Sequence, residues 1–337
     1  MTAIPNTLPA SKEVQLWVGP QHPGIPGNMA MQMWVEGDTI QRGITHVGYL
    51  HRAFEKLVER RTFYQTFPLV CRICVPEPDT NEYLLAAAVE ELAGIADDIP
   101  ERAQWIRTLV LEMSRLGALL MVVGGQAGGM GLGATPQWMI ALRDYVLDLF
   151  EELSGARVYH MYIIYGGVRR DLPEGFAERV EAVLKKIEER LPMIDNLIFD
   201  SVVFRKRAMN VAVIPKEWAD QTGMSGPVVR AMGIPRDVRK DYPYLVYPEL
   251  DFDVVTTEGS DIYARVQVRR KEIDQAMDLI RQILARMPKD GPIMTRTKIV
   301  TQFVSKSQAA KCTLGGSDRK PEFRVNFRFS DVGANKL

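Results

Sequence analysis

Residues 100–120 read Pro-Glu-Arg-Ala-Gln-Trp-Ile-Arg-Thr-Leu-Val-Leu-Glu-Met-Ser-Arg-Leu-Gly-Ala-Leu-Leu. Ile106, Leu109, Met113, Leu116 and Leu120 recur at alternating steps of three and four, the spacing of one face of an α-helix, and Arg107 and Arg115 fall off that face. Proline tolerates the first helical turn, so Pro100 marks the start. On either side the same periodicity returns. Asp79 with Glu82 resembles a capping box ahead of Leu85, Ala88, Val89 and Leu92. Thr135-Pro136 opens another helix that Ser154-Gly155 closes, and a fourth is expected over Glu174–Leu191. A shorter helix is expected through His51–Val58 and a last one from Glu272 to Met287.

The flanks of this helical centre have a different texture. Val14, Leu16 and Val18, then Met29, Met31, Met33 and Val35, alternate with polar residues, and Glu36-Gly37-Asp38 reads as a hairpin turn between strands. Beyond Asn210 come short apolar runs broken by Gly and Pro, with a strand expected over Phe252–Thr256. The fold class expected is α+β: a central helical bundle, an N-terminal antiparallel β-sheet and a small C-terminal α/β portion. The divisions expected are 1–48 (β region), 49–205 (helical core) and 206–337 (C-terminal α+β region).

Bulk properties exclude several classes. The chain has 337 residues, 46% hydrophobic and 25% charged, and its 42 Lys and Arg balance 42 Asp and Glu. Nucleic acid rewards a clear basic excess, so it is not an expected partner. The longest apolar stretch, Leu116 to Val123, is far short of the roughly 20 residues of a membrane-crossing helix. No basic region followed by an apolar block opens the chain, so no secretory signal is visible. The three cysteines, Cys71, Cys74 and Cys312, suggest a reducing compartment rather than a disulfide framework. The expectation is a cytoplasmic location, with any membrane association made through partners.

Two motifs invite chemistry. Cys71-Arg72-Ile73-Cys74 has the gap by which two thiolates grip one metal or form a redox disulfide, but a nickel or tetrahedral site wants four ligands and Cys312 has no partner at that spacing. Buried inert thiols are the competing reading. Gly124-Gly125-Gln126-Ala127-Gly128-Gly129-Met130-Gly131-Leu132-Gly133 follows a helix rather than a strand, so a flexible or closely packed turn suits it better than a dinucleotide loop. His22, His46, His51 and His160 lack ligand spacing and read as hydrogen-bonded structural residues. No nucleophile elbow, phosphate-binding loop or zinc-protease motif is present.

Longer motifs, in order, carry a resemblance. Val18-Gly19-Pro20-Gln21-His22-Pro23, Gly48-Tyr49-Leu50-His51-Arg52, Pro100-Glu101-Arg102-Ala103-Gln104-Trp105, Glu112-Met113-Ser114-Arg115-Leu116, Ser154-Gly155-Ala156-Arg157, Gly166-Gly167-Val168, Arg230-Ala231-Met232-Gly233 and Asp237-Val238-Arg239-Lys240 resemble the D subunit family of NADH-quinone oxidoreductase (complex I) over roughly residues 14 to 290. That family is related to the nickel-iron hydrogenase large subunit. The resemblance implies a peripheral-arm subunit on the cytoplasmic side of the cell membrane, held there by partners and binding no metal itself. The implied partners are a small iron-sulfur subunit, other peripheral-arm subunits and membrane-arm subunits. Electrons would pass from the partner's 4Fe-4S cluster to a quinone between the two proteins.

By position, the resemblance sets Arg72 beside that cluster, where a cation stabilises the reduced form, with a structural ion pair as the alternative. His160 is a weaker cluster-side candidate, because Tyr159 occupies the usual histidine position. The quinone-head positions fall on His22, Pro26, Val75 and Met130. Pro26, Val75 and Met130 stand where the family has histidine, tyrosine and aspartate, so the usual proton donors are replaced together. Arg72-Ile73-Cys74 also matches the start of the hydrogenase pattern, whose second cysteine falls on Glu77, and the hydrogenase's carboxy-terminal cysteine pair is missing. Glu322-Phe323-Arg324-Val325 and Ser330-Asp331 only faintly resemble the family's last module, which reads as shortened. The sequence leaves three readings: an NADH or other reductant:quinone oxidoreductase subunit, a nickel-free hydrogenase-related subunit that reduces something else, and a non-catalytic scaffold.

Overall fold

A computed structural model describes residues 13–22, 25–26 and 28–296. Cys312 and the segments 322–325 and 330–331 lie outside the described residues. The chain forms two compact units, one ending at Phe54 and one beginning at Glu55; each is described by itself.

In the first unit, β1 (Val14–Val18), β4 (Met29–Glu36) and β5 (Thr39–Val47) form an antiparallel sheet in the order β1-β4-β5, with Leu16 opposite Met33 and Met31 opposite Thr45. β2 (Gln21–His22) and β3 (Ile25–Pro26) form a separate pair. The β4–β5 turn is Gly37-Asp38, as the sequence indicated, and Gly37 sits at φ +60°, where a side chain is strained. A one-residue irregularity at Trp34/Val35 breaks the otherwise even register.

The second unit is helical. Its elements are α1 (Phe54–Val58, which starts at the boundary residue), α2 (Phe63–Val70), α3 (Pro78–Ala93), α4 (Glu101–Gly129), α5 (Thr135–Ser154), a hairpin of β6 (Ile163–Ile164) and β7 (Gly167–Val168), and α6 (Phe176–Phe199). There follow α7 (Val202–Ala208), α8 (Trp218–Gln221), α9 (Pro227–Arg230), α10 (Val238–Asp241) and α11 (Ile262–Arg286). Helix α4 is the axis: 20 of its 29 residues are buried, so it cannot be a surface helix with one apolar stripe. It packs against α3, α5 and α11. The stripe Ile106, Leu109, Met113, Leu116 and Leu120 is buried, but so is Arg107, which the periodicity had set on the outside.

Four expectations are corrected by packing. Helix α4 runs through Gly124 to Gly129, so the glycine-rich segment is mostly helix and only 130–133 turns. A Cβ at Gly124 would stand 2.7 Å from the Met139 Cβ, and one at Gly128 would stand 2.5 Å from the Pro136 Cγ. The glycines therefore let α4 and α5 approach closely, as small residues spaced four apart do. Helix α6 continues past Pro192 because Leu191, Ile194 and Ile198 extend the buried stripe of Val180, Leu184 and Ile187, and that burial outweighs a proline cost of about 3 kcal/mol. Helix α11 begins ten residues before Glu272, capped by Asp261, whose carboxylate accepts from Ala264 N at 2.8 Å. Alternating Val266 and Val268 hide this start behind a strand-like pattern.

The fourth correction concerns 252–256, which is extended but pairs with no strand among the described residues. Its backbone and that of the preceding residue are held by side chains of α11: Gln282 Oε1 accepts from Asp251 N at 2.9 Å and Gln275 Nε2 donates to Asp253 O at 2.5 Å. Helix α11 also joins α4 in the main core through Val266, Ile273, Leu279, Ile280 and Ile283.

Candidate functional site

The α2–α3 junction carries the cysteine pair. Helix α2 ends at Cys71, whose side chain is buried, and Cys74 is half-buried. Burial, aided by the charge of Glu82, pushes the Cys71 thiol up to about 11 against the opposing pull of Arg72, and burial raises Cys74 as well. Both thiols are protonated at neutral pH and are poor nucleophiles. No group of three or more His, Cys, Asp or Glu among the described residues is placed to hold a metal ion.

Arg72 is exposed, and three contacts fix its direction. Nη1 donates to Pro68 O at 2.9 Å and to Cys71 Sγ at 3.2 Å, and the guanidinium lies 4.9 Å from the centre of the Tyr159 ring. The ion pairs among the described residues do not include Arg72. Three residues on, Val75 is 50% exposed.

Behind this edge, helix α3 turns an acidic face inward. Asp79, Glu82 and Glu90 are buried, whereas Leu92, assigned to the apolar stripe from its spacing, is 62% exposed. The expected capping box is absent, because the helix starts at Pro78 and both acids reach across to other segments. Asp79 meets His160 Nδ1 at 2.9 Å; Glu82 accepts from the backbone N–H of Met161, Tyr162 and Ile163 at 2.6, 2.9 and 3.3 Å. Burial and the neighbouring Asp79 charge push Glu82 up to about 8, against those three donors.

Glu90 pairs with buried Arg107 at 2.6 Å and accepts from Gly166 N, while Arg107 also donates to the carbonyls of Ile164 and Gly167. Every acid thus has partners, the condition under which burial of charge is tolerated. The sequence signal was the i, i+3, i+4 recurrence of residues 79, 82, 86, 90 and 93, which an apolar-only count passes over.

His160 is fully engaged inside the chain. Its Nδ1 faces Asp79, its Nε2 lies 3.1 Å from Arg157 O, and its ring stacks on Phe150 at 3.9 Å. These are the hydrogen bonds of a histidine held in place by its own chain. His160 also lines a cleft of about 240 Å³, open mouth included, together with Val75, Pro76, Ser114, Arg143 and Arg157. The structure therefore brings Val75 and His160 to one cleft and places Arg72 against Tyr159. Met130 does not line it: it lies sixteen residues beyond Ser114, about 24 Å along α4. His22 is an exposed strand residue of the first unit opposite Ile25, and Pro26 lies opposite Gln21 there.

A second ionic cluster ties α4 to the segments after Pro227. Glu112 accepts from Arg239 Nη1 at 3.1 Å and from Tyr247 OH at 2.7 Å, and its other oxygen lies 3.3 Å from Arg115. Arg115 reaches Glu272 at 3.2 Å, Arg230 Nε donates to Glu272 at 2.8 Å, and Asp237 pairs with Arg239 at 2.7 Å. Burial works to raise Asp237, but Arg239 and Arg230 prevail and hold it at about 2. Burial raises Glu77, at the mouth of α3, with Arg115 opposing.

This helical core has counterparts among known proteins. A solved relative, titled "Structure of the membrane-bound sulfane sulfur reductase (MBS), an archaeal respiratory membrane complex", superposes with a TM-score of 0.80 at 41% identity, covering 86% of this chain and 78% of that one. The class is therefore a subunit of a respiratory oxidoreductase complex. The family described as respiratory-chain NADH dehydrogenase, 49 Kd subunit, matches residues 130–314.

The D subunit of the NADH-quinone oxidoreductase of Thermosipho melanesiensis is 46% identical over 82% of this chain and 75% of its own length. The D subunit of the F(420)H(2) dehydrogenase of Methanosarcina mazei is 39% identical over 84% and 75%. The chain belongs to the 49 Kd family of respiratory-chain NADH dehydrogenases, whose bacterial members are the D subunits of NADH-quinone oxidoreductase. No helix among the described residues is long and apolar enough to cross a membrane.

Proposed function

We propose that this chain is the peripheral-arm subunit of a complex I-type enzyme, carrying the edge at which a quinone-type acceptor meets the terminal 4Fe-4S cluster of a small iron-sulfur partner. In this reading the fold descends from the nickel-iron hydrogenase large subunit, and the complex sits on the cytoplasmic side of the membrane with membrane-arm subunits beneath it. The observation that carries the proposal is Arg72: an exposed guanidinium, oriented by Pro68 O and Tyr159 and included in no described ion pair, three residues from half-exposed Val75. An unneutralised cation at a protein edge suits a cluster that gains negative charge on reduction. The relatives named as quinone and F(420)H(2) enzymes support the same role.

A second reading has its own support. The solved relative is titled a sulfane sulfur reductase, so an acceptor other than quinone fits the same edge. Valine cannot donate or accept a hydrogen bond, which leaves the acceptor position without the side-chain proton that a tyrosine would offer. The purified assembly, assayed with ubiquinone, menaquinone, a phenazine and polysulfide, distinguishes the two readings. Val75→Tyr is expected to shift preference toward quinone by several-fold. Polysulfide reduction without quinone reduction favours the second reading, and equal rates with every acceptor, unmoved by the tyrosine, count against a role for Val75.

A further inference from the structure

We propose that the cleft beside Val75 is a proton port: one water held between Ser114 Oγ and Arg143 Nε relays protons to the acceptor reduced at this edge. The inference rests on the acceptor reading above and deepens it.

Two polar atoms motivate it. Ser114 is 3% exposed and its Oγ has no hydrogen-bond partner; the Nε of Arg143 is likewise buried without one. Both residues line the same cleft. Leaving a buried hydroxyl or a buried guanidinium N–H unsatisfied is unfavourable, so two such groups lining one cleft point to a bridging group. The enclosed part of the cleft is the size of one water, and water matches the donor set, accepting from Arg143 Nε–H and exchanging a hydrogen bond with the hydroxyl.

Neighbouring Arg157 does not compete for the site as a free cation, because Asp144, Asp148 and Glu151 pair with it. Both nitrogens of His160 are engaged elsewhere. Arg157 and Val75 both line the cleft, and Val75 is the position where no side chain can supply a proton.

The chemistry balances. Reducing a quinone takes two electrons, here from the partner's cluster, and two protons. For each proton delivered, one O–H bond of the bound water breaks as the acceptor's O–H bond forms, and a proton from solvent at the rim restores the water.

Gly117 offers a clean perturbation. It lines the cleft, and a Cβ there would lie 3.8 Å from Arg143 Cγ and 3.9 Å from Arg143 Nε, ordinary contact that fills space without a clash. In the assembled complex, Gly117→Ala and Ser114→Ala are each expected to slow quinone turnover by on the order of tenfold and to enlarge its solvent deuterium isotope effect. Donor-driven reduction of the partner's cluster, which needs no proton here, should keep its rate. A high-resolution cryo-electron microscopy map of the wild-type complex should show ordered density within about 2.7–3.2 Å of both atoms. No density between them, unchanged turnover in both variants, or slowing of cluster reduction by the same factor overturns the port. A wild-type complex that reduces no quinone overturns the acceptor reading instead, and the map alone then decides whether the water site exists.

Discussion

Arg72 is the residue on which the redox reading turns. Pro68, Cys71 and Tyr159 orient it without neutralising it. Under the proposed role, replacing Arg72 with Met removes a positive charge beside the partner's cluster and is expected to lower that cluster's midpoint potential by on the order of tens of millivolts, leaving assembly intact. Redox titration followed by electron paramagnetic resonance reads this directly, and an unmoved midpoint denies the cluster role. The cysteines make the opposite case. With Cys71 buried and its thiol pushed up to about 11, binding nickel here would first have to remove a tightly held proton, and two sulfurs fall short of the four ligands such a site wants. Metal analysis of anaerobically purified protein should find nickel far below one per chain; near-stoichiometric nickel would sink that expectation. The motif Cys-Arg-Ile-Cys is plain in the sequence, but only the structure shows that Cys71 is buried and Cys74 half-buried.

At the scale of elements, the α4–α5 contact shows how a misread segment gains a function. Gly124 and Gly128 lie where Cβ atoms would collide with Met139 and Pro136, whereas Gly125 has open space around its Cβ position. Gly128→Ala should therefore cost about 1–3 kcal/mol through overpacking. Gly125→Ala should stabilise by about 0.5–1 kcal/mol through helix propensity alone. Urea denaturation midpoints of the two variants should move in opposite directions, and parallel movement would mean that the glycines do not set helix approach. Helix α3 teaches the same lesson with charge. Leu92 fits the apolar spacing and is exposed, while Glu90 breaks it and is buried, because Arg107 on α4 comes to meet it.

Across the whole molecule, the cluster of Glu112, Arg115, Arg230, Asp237, Arg239 and Glu272 joins α4, α9, α10 and α11, which are distant in sequence. Asp237, held at about 2 in the fold against an ordinary 3.8, binds protons less readily folded than unfolded. Its contribution to stability is fully present above about pH 4 and is lost as pH falls toward 2. Asp237→Asn should be less stable than the wild type at neutral pH, and the gap between their unfolding midpoints should close between about pH 4 and pH 2. A gap that stays constant through that range would show that the carboxylate does not act through its charge.

The motifs that place this chain in its family were legible in sequence, and the structure shows why several of them look as they do. Gly166-Gly167 anchors the Glu90–Arg107 pair, while Glu112, Arg115, Arg230, Asp237 and Arg239 form one ionic cluster. The sequence by itself determined the helical centre, the hairpin at Gly37-Asp38, the start of α5 at Thr135 and its end at Gly155, because periodicity and caps are local properties. Only the tertiary structure decided which charges are buried, that the glycine run continues a helix, and that Ser114 and Arg143 face one cleft. Those outcomes depend on which side chains a distant segment brings within reach, and a buried charge or a bare Cα is acceptable only once its partner is in place.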